Sequence, residues 1–261
     1  MIWAILSLAV VSCGESKKDL PLMRKITGQC GPYAFEVVYG GDTTDFQHQI
    51  DSIFALVDIT FNPNKAESVV ARYNAFSRTD TMFCFDDHAY LFGSVYDIYK
   101  DVYRKTRGYL DPTVGPLESA WATSGSVAPD LDSLYAFIGF DEGLIDMIEK
   151  TDTAGQYVET QLRKADPRIR LNFGKFPYAY ALDMVGGFLL EQDITDFRLI
   201  LDDVVLCHGF SADAITAFPI TLENDSVRVI NSGAAFRDLD DKMKMMDPAY
   251  GYPVSADEEN T

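Results

Sequence analysis

The pattern of apolar and polar positions predicts several short strands in this chain. Each candidate is a short run of mainly apolar residues, and the first leads into the turn Tyr39-Gly-Gly41. The predicted strands are Tyr33 to Val37, Leu144 to Ile148, Ile215 to Leu222, and Ser226 to Ile230. Because the last two flank the polar turn Glu223-Asn-Asp225, they are predicted to pair as a hairpin.

Apolar residues spaced three and four positions apart predict helices. The inner face of the first helix consists of Phe46, Ile50, Ile53, Phe54 and Val57. Thr43 and Thr44 are predicted to cap this helix. A second helix is predicted from His88 to Thr106, a short irregular or helical piece at Val69 to Phe76, and a short helix at Leu131 to Ile138.

The stretch from Lys164 to Asp183 is predicted to form a strand, a tight turn and the start of a helix. The alternating apolar residues of the strand are Ile169, Leu171 and Phe173. Gly174 permits a sharp turn, and Pro177 suits the first turn of a helix. Free backbone N–H groups at such a helix start are suited to binding a phosphate. The alternative interpretation is an ordinary connection between a strand and a helix.

The composition is that of a globular protein, since 47% of the 261 residues are hydrophobic and 24% are charged. This length accommodates one large domain or two small ones. With 40 acidic and 22 basic residues, the formal net charge is -18. A surface of this charge repels nucleic acid and anionic membranes, so no nucleic acid is expected among the main partners.

The N-terminus has the pattern of a bacterial lipoprotein signal. Residues 2–11 are an apolar run too short to span a bilayer, and Ser12-Cys-Gly14 follows before a polar stretch. The pattern predicts cleavage before Cys13 and lipidation of Cys13. The protein is therefore expected on the bacterial cell envelope, facing the periplasm and bound to the membrane only through this anchor. The alternative is a buried N-terminal strand.

These features divide the chain into four predicted parts. They are a signal peptide at 1–13 with Cys13 as the lipidated residue, a polar tether at 14–25, a folded domain at 26–254, and a disordered tail at 255–261. An envelope protein faces an oxidising compartment. Cys30, Cys84 and Cys207 are interpreted as core or free thiols, and one disulfide of undetermined pairing is the alternative.

Six segments carry motif-like residues in a fixed order. They are Gly28 to Phe35, Asn62-Pro-Asn64 with Ser68 to Asn74, Gly108 to Leu117 with Trp121, Lys164 to Asp183, Ser232-Gly233, and Met246-Asp-Pro248 with Gly251-Tyr-Pro253. The most specific of them reads Gly108-Tyr-Leu-Asp-Pro-Thr-Val-Gly-Pro-Leu117. In this order the segments resemble the FAD:protein FMN transferases, the ApbE-like family of flavin transferases, over nearly all of the folded domain.

The resemblance implies an α+β fold, T-fold-like, in which antiparallel sheets pack with helices in two lobes around a flavin cleft. It implies FAD as the substrate and Mg²⁺ as the metal that assists cleavage of the diphosphate. FMN would be esterified to a Thr or Ser hydroxyl of an acceptor flavoprotein, and AMP would leave. The residues implied for flavin binding are Phe61, Asn74, Tyr109, Leu110, Asp111, Asn172 and Tyr178.

Four of these residues have an alternative structural interpretation. Asp111 either anchors FAD or caps its own turn. Asn74 either contacts flavin or caps a helix, and Asn172 either contacts the adenosine part or satisfies the loop backbone. Tyr178 either stacks on a ring or fills the core. The sequence leaves these pairs of interpretations open.

Some positions depart from the motifs of the resembled family. Lys175 replaces one glycine, and a cation there is predicted to repel Mg²⁺ unless its side chain swings to the phosphates. Asp202-Asp203 replaces two glycines, so close approach of the backbone to a ligand is predicted to be blocked there. An A-D-A-x-x-T metal motif does not occur before Thr261, and no metal ligand or catalytic residue is assigned. Two hypotheses therefore accompany an active transferase. One is a non-catalytic flavin-binding or protein-binding lipoprotein, and the other is a truncated gene product with an incomplete fold.

Overall fold

A computed structural model describes residues 22–41, 44–124, 129–140, 143–210, 218–221, 226–229 and 231–235. Helices and strands are interleaved along these ranges. The strands are β1 (Met23–Cys30), β2 (Tyr33–Gly40), β3 (Phe83–Phe85), β4 (Ile145–Thr151), β5 (Tyr157–Lys164), β6 (Phe197–Leu201), β7 (Val204–His208), β8 (Phe218–Thr221), β9 (Ser226–Val229) and β10 (Ser232–Ala235). The helices are α1 (Gln47–Phe61), α2 (Val69–Ala75), α3 (Leu91–Lys105), α4 (Gly115–Ser124), α5 (Leu131–Tyr135) and α6 (Phe176–Glu191).

The strands of the described ranges pair in antiparallel sheets, which confirms the predicted α+β class. The largest sheet has the order β1-β2-β6-β7-β10, and a second has the order β3-β5-β4. β8 and β9 pair with each other, which confirms the predicted hairpin. Its turn, Glu223-Asn-Asp225, lies outside the described residues, as do residues 215–217.

Two long helices cover one face of the large sheet. Ile50, Phe54 and Val57 of α1 are each at most 1% exposed, so the predicted inner face is the buried one. The buried residues of α6 are Pro177, Tyr178, Ala181, Leu182, Val185, Gly186 and Leu189. Because α1 and α6 pack on each other and on the sheet, the N-terminal end of α6 is held firmly in place. None of the described helices combines the length and apolar character required to cross a bilayer.

The opposite face of the sheet is covered beside β7 by the β8–β9 hairpin. Phe218 and Ile220 of β8 form a small buried cluster with Val205 and Cys207 of β7. Side chains alternate between the two faces of a strand, so β7 contributes to both cores. Val204 and Leu206 pack against the main core instead.

The predicted threonine cap of α1 is wrong. The helix begins at Gln47, whose backbone N–H donates to Asp45 Oδ1 at 3.0 Å. Thr44 lies before this position, and Thr43 lies outside the described residues. A carboxylate accepts a helical N–H as well as a hydroxyl does, and Asp45 stands closer to the first turn.

The helix predicted from His88 to Thr106 is interrupted near its start. Residues His88–Tyr90 form a 3-10 turn, in which Ala89 and Tyr90 have φ values of 57° and 54°, and α3 begins at Leu91. The carboxylate of Asp87 accepts the N–H groups of Phe92 and Gly93 at 2.7 and 2.8 Å. This side chain caps the helix later than the apolar spacing predicts, because periodicity does not detect a cap formed across a kink.

The segment predicted as a strand at residues 169–173 forms no strand and belongs to no sheet. Its burial does alternate: Ile169, Leu171 and Phe173 are at most 2% exposed, whereas the residues between them are exposed. Leu171 N–H donates to Asn74 Oδ1 at 2.7 Å, and Asn74 Nδ2 donates to Leu171 O at 2.8 Å. A side-chain amide therefore replaces the neighbouring strand that the pattern led us to expect.

The first strand begins within the segment predicted as a polar tether. Met23, Arg24 and Lys25 pair with Gly40, Tyr39 and Val38, in that order. Lys25 also forms an ion pair with Glu36 at 2.5 Å. An edge strand with one solvent-facing side carries polar residues, so polarity alone did not distinguish this strand from a tether.

The cysteines of the described part of the chain are free, which confirms their interpretation as core or free thiols. Cys30 and Cys207 are buried, and Cys84 is exposed. Burial raises the pKa of the Cys30 thiol to about 12 and that of the Cys207 thiol to about 11. Both buried thiols are therefore protonated and unreactive at neutral pH.

A fully buried lysine connects the small sheet to the end of α2. Lys164 is 0% exposed, and its Nζ donates to Tyr73 O and Phe76 O, both at 2.7 Å. The ammonium also lies 4.3 Å from the centre of the Tyr73 ring. Burial, and then the positive charge of Arg170, lower the pKa of Lys164 to about 8. A neutral amine keeps enough N–H groups to donate to both carbonyls.

We expect the free energy of unfolding to rise by about 1–2 kcal/mol between about pH 8 and about pH 9.5. In this window the unfolded chain, whose lysine has its ordinary pKa of 10.5, binds a proton that folded Lys164 has released. Urea unfolding across this range measures the slope. Lys164→Met should abolish the rise, whereas Lys105→Met, at an exposed lysine, should retain it. An equal rise in Lys164→Met would contradict this prediction.

Candidate functional site

Two segments far apart in the sequence meet beside the start of α6. The backbone N–H of Asn172 donates to Pro112 O at 2.7 Å. A cavity of about 190 Å³ opens where they meet, and we name it the junction cleft. It is lined by Tyr99, Tyr109, Leu110, Asp111, Val114, Gly115, Glu118, Asn172 and Gly174. Four of the seven residues implied for flavin binding are thus brought together: Tyr109, Leu110, Asp111 and Asn172.

The turn on one side of the cleft is fixed by buried hydrogen bonds. Asp111 is 8% exposed, and its Oδ1 accepts from Thr113 N at 2.8 Å and from Thr113 Oγ1 at 2.6 Å. Thr113 is fully buried and its Oγ1 accepts from Gly139 N at 2.7 Å. The carboxylate therefore caps its own turn, and this bonding sets where Tyr109 and Leu110 stand.

The other side of the cleft is the turn from Asn172 to Lys175. Asn172 is exposed, and its Oδ1 accepts from Gly174 N at 3.0 Å, so this side chain satisfies the loop backbone. Gly174 has φ of 58°, a conformation that favours glycine, and no atom stands within 4 Å of where a side chain would project. The amide nitrogen of Asn172 has no hydrogen-bond partner in the described part of the chain, and it remains available to a ligand.

The cleft combines an exposed aromatic ring with acidic groups. Tyr109 is 57% exposed, whereas Tyr99 is buried at 4% exposure. Partial burial raises the pKa of the Glu118 carboxyl. Burial, and then the charges of Asp111 and Glu118, raise the pKa of the Tyr99 hydroxyl. The lining thus contains two carboxyl side chains, Asp111 and Glu118, and no basic side chain.

Sequence reasoning missed five of the lining residues. They are Tyr99, Val114, Gly115, Glu118 and Gly174. Val114 and Gly115 lie in the motif from Gly108 to Leu117, and Gly174 lies in the stretch from Lys164 to Asp183, so only their role in the cleft was missed. Glu118 directly follows Leu117, on the first turn of α4. No local signal marks Tyr99, because its spacing on α3 is that of an ordinary core residue.

Three residues implied for flavin binding lie outside the cleft lining. Phe61 is the last residue of α1, is 2% exposed, and stacks on Phe92 with 5.6 Å between ring centres. Asn74 uses both polar atoms of its amide on Leu171 and caps no helix. Phe61 also meets the Phe173 ring edge-on, so both residues contact the segment that leads to Asn172 without lining the cleft.

Tyr178 also lies in the core. It is 3% exposed and meets the Tyr33 ring edge-on at 5.0 Å. Its hydroxyl is buried and has no hydrogen-bond partner among the described atoms. Burial, followed by the negative charge of Asp58, raises the pKa of this hydroxyl. The Tyr178 ring therefore fills the core at the start of α6 and does not stack on a ligand.

The backbone at the start of α6 offers few free donors. Gly174 N–H donates to Asn172 Oδ1, and Phe176 N–H donates to Phe173 O at 3.3 Å. Pro177 has no N–H group. These positions therefore do not form the phosphate cradle that the helix start suggested, and the interpretation as an ordinary junction fits them better.

A second groove runs along the far side of α6. It has a volume of about 290 Å³ and lies between α6 and the strands β7 and β10. Asp183 and Tyr180 line it from the helix, and Gly233 lines it from β10. The motif residue Gly233 therefore stands apart from the junction cleft, and none of the seven residues implied for flavin binding lines this groove.

Comparison with known proteins agrees with the resemblance in sequence. A model of the ApbE family matches residues 32–258. This chain belongs to the ApbE family. No curated protein sequence is a significant match.

Solved ApbE structures share the fold. The flavin transferase ApbE from Vibrio cholerae is 17% identical, with a TM-score of 0.70 over 90% of this chain and 79% of that one. The apo form of the flavinyl transferase ApbE from Pseudomonas stutzeri is 18% identical, with a TM-score of 0.71 over 90% and 78%. The ApbE protein from Thermotoga maritima is 16% identical, with a TM-score of 0.61 over 89% and 78%. At these identities the likeness establishes the fold alone.

The described part of this ApbE-family chain does not fit a bound Mg²⁺. It contains no group of three or more His, Cys, Asp or Glu side chains arranged to hold a metal ion. In the cleft, Oδ1 of Asp111 is already occupied by two hydrogen bonds. Asp202 and Asp203, nearby on the β6–β7 turn, are both bridged by the ammonium of Lys175. We therefore assign no metal ligand and derive no step through Mg²⁺.

Proposed function

We propose that this protein transfers FMN from FAD to a Thr or Ser hydroxyl of an acceptor flavoprotein and releases AMP. In this reaction the acceptor oxygen bonds to the phosphorus of the FMN part, and the P–O bond to AMP breaks. AMP leaves with the electron pair of that bond, and the hydroxyl proton goes to solvent. The observation that supports this function is the junction cleft in an ApbE-family fold, where the Asp111 turn and the Asn172 turn form one binding surface.

The dimensions of the cleft limit what it binds. Its volume of about 190 Å³ lies below the roughly 300–1,000 Å³ typical of a site that encloses a whole small ligand. We infer that it receives one ring system of FAD and that the rest extends along the surface. In this arrangement the exposed ring of Tyr109 stacks on the ligand, and the free amide nitrogen of Asn172 donates to it. Asp111 holds the turn that carries Tyr109.

AMP release tests this proposal directly. The protein is incubated with FAD, Mg²⁺ and an acceptor domain, and AMP and covalently bound flavin are measured together. Equal amounts of both products are expected. If an established flavin transferase labels the same acceptor while this protein releases no AMP, transfer is excluded.

We expect Tyr109→Ala to weaken FAD binding about tenfold, the size of one lost stacking contact. The ring is largely exposed, so the fold should be unaffected. Quenching of flavin fluorescence measures the affinity. Phe210→Ala is the matched control, because Phe210 is an aromatic residue that is 45% exposed and lines none of the cleft. Equal affinities of Tyr109→Ala and wild type would remove Tyr109 from the site.

A second candidate function is flavin binding or protein binding without turnover. The ammonium of Lys175 bridges Asp202 and Asp203, where the motifs of the resembled family carry glycines. This bridge supports a scaffold that has lost metal-assisted chemistry but retains the cleft. Tight FAD binding without AMP release would favour this candidate, and stoichiometric AMP release would exclude it.

We also propose that the protein is attached to the bacterial cell envelope through a lipid on Cys13. The support is the sequence pattern before Cys13, since the described residues begin after it. Metabolic labelling with a palmitate analogue is expected to mark the wild type and to leave Cys13→Ser unmarked. Equal labelling of both would overturn the assignment of the anchor.

A further inference from the structure

A compact cluster of charges forms around Lys175, one residue beyond the lining of the junction cleft. Lys175 Nζ stands 2.6 Å from Asp202 Oδ2 and 2.5 Å from Asp203 Oδ1. The same ammonium lies 5.1 Å from the centre of the Tyr33 ring, which provides a weak cation–π contact. The three charged residues belong to two turns, one at the start of α6 and one between β6 and β7. They carry one positive and two negative charges, so the cluster keeps a net negative charge.

The backbone of Lys175 adjoins the lining of the cleft. Lys175 directly follows Gly174, which lines the cleft, and its charge stands at the end of a flexible four-carbon stem. Its side chain is 29% exposed, and those of Asp202 and Asp203 are 53% and 37% exposed. Ion pairs at such exposure are weak and exchange readily. Burial lowers the pKa of Lys175, but the hydrogen bonds that its ammonium donates to the two carboxylates outweigh burial and raise the pKa overall, so the group stays charged.

An anionic ligand in this cleft requires a cation, and the surroundings provide few other donors. The lining contains two carboxyl side chains, Asp111 and Glu118, and no basic side chain, so it supplies no cation to a phosphate. The backbone N–H groups of Gly174 and Phe176 are already bonded within the chain. A cation for a phosphate must therefore come from outside the lining, and Lys175 directly follows the lining residue Gly174.

We propose that Lys175 binds the diphosphate of a dinucleotide at the edge of the junction cleft, and that Asp202 and Asp203 hold its ammonium group when no ligand is bound. This inference rests on the proposed function, because it takes FAD as the dinucleotide. The two carboxylates compete with the diphosphate for the same ammonium. They therefore lower the affinity for the ligand while keeping the lysine ordered.

Substitution of the lysine and substitution of the two aspartates should change the affinity for FAD in opposite directions. Lys175→Met is expected to weaken FAD binding about tenfold or more, the effect of one lost charged hydrogen bond. Asp202→Asn combined with Asp203→Asn releases the ammonium and is expected to tighten FAD binding about threefold to tenfold. Riboflavin has no phosphate, so its affinity should stay within about twofold of wild type in both variants. Lys175→Arg should retain most of the FAD affinity.

Matched controls separate a local effect from a change in net charge. Lys105→Met removes one positive charge from an exposed pair with Asp101, at 2.6 Å, at the C-terminal end of α3 and outside the cleft lining. It should leave the affinities for FAD and riboflavin unchanged. Flavin fluorescence quenching at fixed ionic strength gives all affinities, and circular dichroism verifies that each variant is folded.

Three results would overturn the inference. In the first, Lys175→Met binds FAD as tightly as wild type. In the second, Lys175→Met loses affinity for FAD and for riboflavin by the same factor. In the third, the double asparagine variant binds FAD more weakly than wild type, as Lys175→Met does. In each of these cases AMP release by wild type still supports the proposed function.

Inorganic pyrophosphate tests the lysine without flavin. If wild type binds no flavin, the proposed function fails. An increase in melting temperature with pyrophosphate, larger in the double asparagine variant and absent in Lys175→Met, would still support the anion-binding role. No increase in any of the three proteins would overturn that role as well.

Discussion

Phe173→Ala is expected to lower the free energy of unfolding by about 3–5 kcal/mol, a large part of the total stability of a domain. Phe173 is 2% exposed. Its ring lies against four others, with ring centres at 5.5 Å for Phe61, 5.9 Å for Phe92, 5.2 Å for Tyr99 and 6.3 Å for Phe140. Truncation leaves a cavity that rigid aromatic rings cannot collapse to fill. Denaturant unfolding measures the loss.

The same substitution should also weaken FAD binding, because Phe173 stands between two residues that line the cleft. Asn172 and Gly174 keep their positions only while the ring between them is anchored. Phe210→Ala, at an exposed ring, is the control and should change the stability by less than about 0.5 kcal/mol. A loss of less than about 1 kcal/mol in Phe173→Ala would mean that the aromatic cluster does not support the junction.

Asn74→Ala is expected to have the second largest effect, a loss of about 2–4 kcal/mol in the free energy of unfolding. The substitution removes the partners of a backbone N–H and a backbone C=O on Leu171, which is 0% exposed. Each buried group left without a partner costs about 1–3 kcal/mol. The segment before Asn172 then loses its attachment to α2, so the affinity for FAD should fall as well. Denaturant unfolding and fluorescence quenching measure the two effects.

An exposed asparagine on the preceding loop is the matched control for this prediction. Asn64→Ala should change the stability by less than about 0.5 kcal/mol, since Asn64 is exposed. If Asn74→Ala is as stable as the control but binds FAD poorly, Asn74 contacts the ligand and the structural role is wrong. If the stability and the FAD affinity are both unchanged, water satisfies the N–H and C=O groups of Leu171 in place of the Asn74 amide.

Local pattern predicted the long helices well and the cap positions poorly. The inner faces of α1 and α6 follow from apolar spacing, because burial of one face is what stabilises an amphipathic helix. The start of α3 does not follow, because Asp87 folds back across a kink to cap it. The segment before α6 has the alternation of a strand, yet its partner is the side chain of Asn74, ninety-seven residues earlier. Alternation reports which side chains are buried, and it does not report what satisfies the backbone.

Part of the candidate site was recognisable and part was not. The motif around Asp111 and the junction around Asn172 were identified separately, and the structure places them against each other through the bond from Asn172 N–H to Pro112 O. Tyr178 and Phe61 were equally plausible from sequence, because an aromatic residue beside a motif looks the same whether it faces a ligand or the core. Glu118 and Tyr99 reach the cleft from helices whose packing no local pattern reports.

The fold class, the long helices and the ApbE family are predictable from the sequence, because they depend on periodicity and on the order of short motifs. Which motif residues share a surface is visible only in the folded chain, as is the contact of Lys175 with Asp202 and Asp203, twenty-seven and twenty-eight residues away. Burial and charge pairing depend on distances in space. Those distances are fixed only when α6 and the β6–β7 turn pack together.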